Sequence, residues 1–510
     1  MDGELLADQP LGQKLIKKWF WLYFFMIITA PAGYIIKVIV SNTISVADVG
    51  IFYSVLGFVG LISTYHDLGL TEALQYFLPK YWIEKKYNSF KTITIITLFS
   101  QVIIGIGIAC LIYFWADRLA IHQFRSPEAV GIIRTLCWYF IWINFLQVFA
   151  SIFISFQDTI SNNLLDFSRS YAILIFTIVF WTWHTLTASS FTLSRISWLG
   201  IALIAGIIIL WKKYGHTLQK GKFERDTSLI KRQFKYALRV FLWANIWSLL
   251  WQVDQQMIIN ILGPEAAGYY SNFFSLLSLY SLVITPILTL IFPMVTEFIT
   301  KNNHHQLKIF QNLLYKYFSL FALSISWIFF TFWKEISSIF FGTKFLYSGQ
   351  LLVYVAPFLV LNVLFIINFG ILAWLGQVKK RVKVLLIALI ANIILNFLLL
   401  YIFKIWLPGA IIAMIIGWAL LRLGSFRIIQ KHQKISFDRM FLFKNIAVII
   451  VISWIFLYGK IKFLVIDNSA RYSNISYLIL ALCIYYTILA IVNYKNILTL
   501  KDEVKKLKET

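Results

Sequence analysis

The stretch KTITIITLFSQVIIGIGIACLIYFW, residues 91–115, decides the fold, because no charged side chain follows its first residue. A helix needs about 20 apolar residues to cross the hydrocarbon core of a bilayer. Similar blocks recur along the 510-residue chain, whose mean hydropathy is +0.77 and whose charged residues make up 13%. A soluble domain carries roughly 25% charged residues, so this chain requires lipid as its solvent. Continuous apolar blocks predict helices, since the strands of a membrane barrel would alternate.

The apolar blocks predict an all-α polytopic membrane protein with about 14 transmembrane helices. The predicted spans are residues 16–41, 47–80, 91–115, 129–156, 163–185, 190–212, 236–262, 266–298, 306–332, 348–377, 382–404, 408–430, 442–460 and 474–496. The first block follows a polar, basic segment and is too long for a cleavable signal, so we interpret it as a permanent span.

The distribution of positive charge predicts the orientation. With the N-terminus inside, the cytoplasmic segments hold 32 Lys and Arg residues and the external loops hold 8. Short cytoplasmic loops of membrane proteins collect Lys and Arg. The net charge of +24 therefore reflects topology and does not indicate nucleic-acid binding, and both termini are expected in the cytoplasm.

The basic segment 212–235 lies where two six-helix lobes would join. We predict an N-terminal lobe at 1–211, a cytoplasmic linker at 212–235, a C-terminal lobe at 236–430, and two further helices with a tail at 431–510. An internal repeat favours this division, since the second and eighth spans both begin with an acidic residue, a glycine and aromatic residues. The two copies are ADVGIFYS, residues 47–54, and EAAGYYSN, residues 265–272. Parallel repeats are one known plan of transporters.

Charged residues inside spans are costly and usually mark a pathway. Lys37, deep in the first span, either lines such a pathway or snorkels to the outer interface. Asp67 is too short to snorkel easily, so it is a candidate for pairing with a cation or carrying a proton. Its neighbour His66 is equally well explained as a satisfied interior histidine.

A second polar group lies in the seventh span, where Asp254 is flanked by Gln252, Gln255 and Gln256. Helical spacing places Asp254 and Gln255 on the face of Trp251, and this face either lines a cavity or bonds to another helix.

Further polar residues inside spans allow two interpretations each. Asn392 and Asn396 share a helix face and favour helix packing. The basic residues near the span ends either snorkel or line a cationic cavity; these are Arg134, Arg169, Arg195 and Arg239. Arg422 is expected slightly within its span.

Enzyme and cofactor motifs are absent from the sequence. It contains no GxxxxGK[ST], HExxH or GxSxG pattern. Its three cysteines have neither disulfide nor metal spacing. The predicted external loops are each shorter than 20 residues and leave no room for a catalytic domain. We therefore expect a non-enzyme without cofactor or metal.

The order of these motifs resembles the polysaccharide flippases of the multidrug/oligosaccharidyl-lipid/polysaccharide (MOP) exporter superfamily. The first lobe carries the similarity in Lys37, the Gly50 segment, Asp67-Leu68-Gly69-Leu70 and Phe77-Leu78-Pro79. The second carries it in Asp254, Leu262-Gly263, the Gly268 segment, Phe292-Pro293, Leu375-Gly376-Gln377, Asn392, Asn396 and Pro408-Gly409-Ala410. Together these motifs cover roughly residues 16–430. The family often has arginine at the position of Lys37, and lysine lacks the bidentate fork of arginine.

The resemblance implies a function as well as a fold. It implies a V-shaped pair of six-helix lobes in a bacterial inner membrane. The implied substrate is a polyprenyl-diphosphate-linked oligosaccharide, turned over from the cytoplasmic to the outer leaflet. Lys37, with Arg169, Arg239 or Arg422, would attract the diphosphate. Asp67 and Asp254 would bind H⁺ or Na⁺.

The implied partners are membrane lipid and polysaccharide polymerase or assembly proteins. His66, Gln255, Asn392 and Asn396 would be polar cavity or packing residues. Three alternatives stay open: a multidrug or cation antiporter of the same superfamily, the lipid II flippase branch, and a glycan polymerase or glycosyltransferase enzyme. An antiporter should have a mainly acidic cavity, and the enzymes need large external loops.

Overall fold

A computed structural model describes residues 11–156, 158–224, 226–244, 246–282, 284, 295, 304–432, 439–463 and 471–496. Helices account for nearly all of these residues, and none of them lies in a β-strand. A segment inside lipid must satisfy its own backbone hydrogen bonds, and a helix does so within one stretch of chain. The predicted all-α fold is confirmed.

Backbone contacts divide the chain into two compact units, Met1–Ser271 and Asn272–Thr510. The helices that begin in the first unit are α1 (Leu11–Thr43), α2 (Val46–Tyr65), α3 (Leu70–Ile83), α4 (Tyr87–His122), α5 (Ala129–Leu136), α6 (Trp138–Ser155), α7 (Thr159–Thr182), α8 (Ala188–Lys220), α9 (Thr227–Ala244), α10 (Ile246–Leu262) and α11 (Pro264–Leu277). In this unit α1 packs against α7, α7 against α8, α4 against α6, and α10 against α2.

The helices that begin in the second unit are α12 (His304–Phe341), α13 (Leu346–Val355), α14 (Leu359–Trp374), α15 (Val378–Asn396), α16 (Leu407–His432), α17 (Arg439–Phe463) and α18 (Arg471–Val492). A π-helical segment, Phe397–Ile402, continues α15. Within this unit α12 packs against α13, α14 and α17, and α16 packs against α14 and α15.

The described helices follow the predicted spans. Each span coincides with one helix or two consecutive helices, except that the eighth begins as α11 and its remainder lies largely outside the described residues. By length and hydropathy, ten helices of the described part are able to cross a membrane, and Leu478–Val492 is a shorter apolar helix. The surface agrees with a lipid environment, since α4 presents Ile103 at 54% exposure and Phe114 at 78%. The predicted polytopic class is confirmed.

The compact units divide at Ser271, beyond the predicted linker at 212–235. The reason is that α9 packs against α3 and α10 against α2, which join the seventh predicted span to the first unit. Much of the predicted linker is also helical, since α8 extends to Lys220 and α9 begins at Thr227. The lobe boundaries rest on the sequence repeat and stay a prediction.

The short connection between α8 and α9 is bound to the start of α4. The backbone N–H of Lys222 donates to the Asn88 side-chain oxygen over 2.8 Å, and the Asn88 amide donates to the Glu224 carboxylate. Lys91 Nζ donates to the Gly221 carbonyl over 3.0 Å. The connection is therefore a docked segment within the first unit.

The last two helices are anchored to α12 by an aromatic stack. The rings of Trp327 and Tyr485 lie 4.0 Å apart and almost parallel, and Phe456 of α17 meets the Trp327 ring edge-on. The Tyr485 hydroxyl donates to Ser324 Oγ over 3.0 Å. Trp327 and Tyr485 are fully buried.

Replacing Tyr485 by alanine is expected to destabilise the protein by about 3 kcal/mol, because truncating a buried aromatic side chain leaves a cavity. Thermal unfolding of the purified protein in detergent measures the loss. Tyr486→Ala is the matched control, since the neighbouring tyrosine is 46% exposed. Equal destabilisation by the two variants would contradict the anchoring role.

Candidate functional site

The Asp67-Leu68-Gly69-Leu70 motif breaks the second predicted span into two helices. α2 ends at Tyr65 and α3 begins at Leu70, and the backbone between them is left-handed at Leu68 (φ 52°) and Gly69 (φ 76°). A Cβ on Gly69 would lie 2.3 Å from the carbonyl oxygen of Ala237 in α9. The single long helix expected over 47–80 is therefore wrong. The glycine therefore lets α9 pack closely against the break.

Asp67 caps the helix that follows the break. Its side chain accepts hydrogen bonds from the Gly69 backbone N–H over 2.7 Å, the Thr71 backbone N–H over 3.3 Å and the Thr71 hydroxyl. It is 7% exposed. The predicted coupling role of Asp67 stays a prediction, and the geometry assigns this carboxylate a capping role.

Alanine at position 67 is expected to reduce stability by about 1 kcal/mol, and asparagine by less, because an amide oxygen still accepts from backbone N–H groups at a helix start. Thermal unfolding of Asp67→Ala and Asp67→Asn, purified side by side, checks this order. If Asp67→Asn lowers the stability as much as Asp67→Ala does, Asp67 does not act as a helix cap.

His66 belongs to a buried polar network between α2, α4 and α6. Its Nε2 bonds to the side-chain oxygen of Asn144, and its Nδ1 lies 2.5 Å from the Ser63 carbonyl oxygen. Asn144 donates to the Gln101 carbonyl oxygen over 2.7 Å, and the Gln101 amide donates to the Asp67 carbonyl oxygen over 3.2 Å. The interior position expected for His66 is confirmed.

Lys37 is buried, at 5% exposure, and does not snorkel. Its Nζ donates to Ser271 Oγ over 2.6 Å and lies 3.1 Å from the centre of the Tyr53 ring. In the described part of the chain, no carboxylate forms an ion pair with it. A buried cation without a counter-ion is costly, so this position is suited to an anionic ligand.

Arg195 of α8 joins Lys37 at Tyr53. Its guanidinium interacts with the Tyr53 hydroxyl and lies 5.4 Å from the centre of the Phe191 ring. It is close enough to Lys37 for the two charges to repel each other. Its Nε is buried without a hydrogen-bond partner. The sequence does not distinguish Arg195 from the other basic residues near span ends, because no residue next to it in the chain indicates that it points toward Lys37.

Of the other predicted basic residues, Arg169 lies close enough to Arg195 for the two charges to repel each other. Arg169 forms an ion pair of 3.2 Å with Asp166, and both side chains are about half exposed. Arg239 lies in α9, but its side chain is outside the described residues. Arg422 belongs to the second unit, where its guanidinium lies 4.4 Å from the centre of the Phe426 ring.

The polar patch of α10 faces α2. Gln255 donates to Ser54 Oγ over 2.7 Å, and Gln256 donates to the Ser54 carbonyl oxygen over 2.8 Å. Asp254 is buried and accepts from the Tyr270 hydroxyl over 3.0 Å. These contacts match the interpretation as an interhelical hydrogen-bond cluster. The Trp251 side chain lies outside the described residues.

The two repeat glycines meet where α2 crosses α11. A Cβ on Gly50 would lie 1.9 Å from the Pro264 carbonyl oxygen, and one on Gly268 would lie 2.1 Å from the Val46 carbonyl oxygen. Pro264 and Val46 each precede a repeat glycine by four residues, so the contact is reciprocal. Gln255 follows Lys37 by the same number of residues as Gly268 follows Gly50. Lys37 donates a hydrogen bond to Ser271 of α11, and Gln255 donates one to Ser54 of α2. These equivalent contacts are consistent with the predicted repeat.

Asn392 and Asn396 lie on one buried face of α15. The Asn396 amide donates to Asn392 Oδ1 over 3.2 Å, and both side chains are almost fully buried. The shared face is confirmed. Among the described residues, no group of three or more His, Cys, Asp or Glu side chains is arranged to hold a metal ion.

Similarity to known proteins agrees with these motifs. The family model described as "Polysaccharide biosynthesis protein" matches residues 15–299, more than half of the chain. The chain belongs to the polysaccharide biosynthesis protein family. An uncharacterised membrane protein of Methanocaldococcus jannaschii is 25% identical over 426 residues, which cover 80% of this chain and 82% of that relative.

Solved structures show the same fold. An inward-facing multidrug resistance MATE family transporter of the MOP superfamily matches with a TM-score of 0.67 and 15% identity, over 80% of this chain and 94% of that one. The lipid II flippase MurJ, in an inward closed conformation, matches with a TM-score of 0.67 and 15% identity, over 93% and 99%. The chain therefore has the fold of these two transporters, which agrees with the resemblance to the MOP superfamily.

Proposed function

We propose that this transporter carries a polyprenyl-diphosphate-linked oligosaccharide from the cytoplasmic to the outer leaflet by alternating access. A diphosphate-sugar headgroup is too polar to cross hydrocarbon unaided, whereas its apolar lipid tail can stay within the bilayer. The protein must therefore supply a polar, cationic path for the headgroup only. The family match to polysaccharide biosynthesis supports a glycan as cargo.

The observation that carries this proposal is the pair of cations at Tyr53. Lys37 lies over the ring of Tyr53 and Arg195 contacts its hydroxyl, and no carboxylate forms an ion pair with either cation among the described residues. The buried Lys37 and the partly buried Arg195, with no ion-paired carboxylate among the described residues, make a site for an anion. A diphosphate, with its several negatively charged oxygens, fits this site better than a neutral or cationic drug.

The acidic residues support the same choice over a cation antiporter. Asp67 is engaged by the start of α3, and Asp254 by the Tyr270 hydroxyl. A cavity for cationic drugs would need acidic groups facing its ligand. We therefore assign the ligand-facing role to Lys37 and Arg195. Arg169, Arg239 and Arg422 are proposed as further cationic positions along the path.

The setting of the transporter is part of the proposal. We infer lobes at 1–211 and 236–430, a bacterial inner membrane, and both termini in the cytoplasm, supported by the Lys and Arg bias of the loops. Coupling to a gradient of H⁺ or Na⁺ would drive the lobes. A polysaccharide polymerase or assembly protein would receive the translocated glycan.

Reconstitution tests the proposal directly. The protein is placed in proteoliposomes with a fluorescent polyprenyl-diphosphate-N-acetylglucosamine, and a membrane-impermeant quencher reports the fraction of probe in the outer leaflet. The probe is expected to cross only in vesicles that contain the transporter, and excess unlabelled polyprenyl diphosphate should compete. Transport of a cationic dye in place of this probe would favour the antiporter.

A further inference from the structure

The hydrogen-bond partners around His66 favour one protonation state. Its Nδ1 faces the Ser63 carbonyl oxygen, which is an acceptor only. Nδ1 must therefore carry a hydrogen. The opposite nitrogen, Nε2, faces the side-chain oxygen of Asn144.

The Asn144 amide is held in this orientation by its other bond. Its Nδ2 donates to the Gln101 carbonyl oxygen over 2.7 Å. If the amide were flipped, two acceptor oxygens would face each other. The Asn144 oxygen must therefore point to His66, and Nε2 must carry a hydrogen as well. Both ring nitrogens donate only in the imidazolium form.

The charged surroundings suit an imidazolium. Asp67 is the adjacent acidic residue, and its carboxylate accepts hydrogen bonds from the Gly69 backbone N–H and from the backbone N–H and hydroxyl of Thr71. The next acid, Glu72, faces Asp67 across Thr71. From the helices packed around it, α4 and α6 present the uncharged side chains of Gln101 and Asn144. α9 packs on Gly69 and carries Arg239, whose side chain lies outside the described residues.

We propose that His66 is the proton-binding group of this transporter, and that its imidazolium form joins α2 to α6 beside the helix break at residues 66–69. The inference rests on the proposed transport function and names its coupling ion as a proton. It moves the coupling role from Asp67, the helix cap, to the neighbouring histidine. His66 is 3% exposed, so its proton exchanges only when the surrounding helices open.

Loss of the proton has a structural consequence. A neutral imidazole has one lone pair, which would face either the Ser63 carbonyl oxygen or the Asn144 oxygen. One of these two bonds then breaks. The Ser63 bond lies in the last turn of α2, and the Asn144 bond joins α2 to α6. Deprotonation therefore loosens the chain where α2 gives way to α3, a position able to act as a hinge.

The first test measures transport of the fluorescent probe with and without a pH gradient. We expect the gradient to stimulate the wild-type protein and the stimulation ratio to fall to about one in His66→Gln, since glutamine still donates to Asn144 but binds no proton. His122→Gln, which removes an exposed histidine at the end of α4, should keep the wild-type ratio. Full stimulation of His66→Gln would overturn the inference while leaving the proposed function intact.

Variants of the residues next to His66 test whether the pH midpoint of the stimulation moves in the expected direction. Asn144→Asp places a negative charge beside the ring and should shift the pH midpoint of the stimulation upward by about one unit or more, whereas Asp67→Asn should shift it downward. An unmoved midpoint in both variants would overturn the inference.

The second test does not depend on transport. Nitrogen NMR of histidine-labelled protein in nanodiscs, with His66→Gln identifying the resonance, should show both ring nitrogens protonated at neutral pH. A neutral ring at neutral pH would overturn the inference, whatever the substrate is.

Discussion

Replacing Lys37 by glutamine is expected to weaken binding of the diphosphate-linked probe by about 10- to 100-fold, because a hydrogen bond to a charged group contributes about 1.5–3 kcal/mol. Glutamine keeps a donor for Ser271 and removes the charge, so the variant isolates the electrostatic part. Arginine at this position should retain most of the affinity, since it keeps the charge and donates in a planar fork. Equilibrium binding to the protein in nanodiscs provides the measurement.

The matched control is Lys316→Gln. Lys316 lies in α12 of the second unit, where its Nζ donates to Asn496 Oδ1 over 2.8 Å. Its loss should leave the affinity for the probe unchanged. If Lys37→Gln binds the diphosphate as tightly as the wild type, the anion site does not include Lys37.

Alanine at Gly50 is expected to destabilise the protein by about 3 kcal/mol and to reduce transport strongly. The added Cβ would lie 1.9 Å from a backbone carbonyl oxygen, and a backbone atom cannot rotate away as a side chain does. α2 and α11 must then separate, which disturbs the nearby bond between Lys37 and Ser271. Thermal unfolding and probe transport are measured on the same preparation.

Gly107→Ala is the control for this substitution. Gly107 lies on the exposed face of α4, and a Cβ there would meet no atom within 4 Å. Since alanine favours a helix over glycine, this variant should be as stable as the wild type or more so. Equal stability of Gly50→Ala and Gly107→Ala would refute the close crossing.

The sequence predicted the helices well because bilayer thickness fixes their length. The charge-free run at residues 91–115 falls within α4, and the ninth span was predicted to end at Phe332, where the backbone of α12 departs from helical geometry. The break at His66–Gly69 was missed because apolar residues continue on both sides. Its signal was local: an aspartate two residues before a glycine, followed by Glu72 in the first turn of a new helix.

Of the two cations of the candidate site, only one could be predicted from the sequence. Lys37 was identifiable because no other charged residue lies between positions 19 and 47. Arg195 was not, because its partner Tyr53 lies more than 100 positions away and the rotation of α8 depends on packing. The capping role of Asp67 and the orientation of Asn144 also depend on contacts that form only when the helices meet.

The reciprocal crossing of Gly50 and Gly268 has a genetic consequence. Each glycine meets the carbonyl of a residue in the other helix, so damage at one position is repaired most directly by a change in the opposite helix. Revertants of a Gly50 mutation should therefore concentrate between residues 264 and 268, and revertants of a Gly268 mutation between residues 46 and 50. A selection for restored glycan export would show this pairing as two mirrored clusters of second-site mutations.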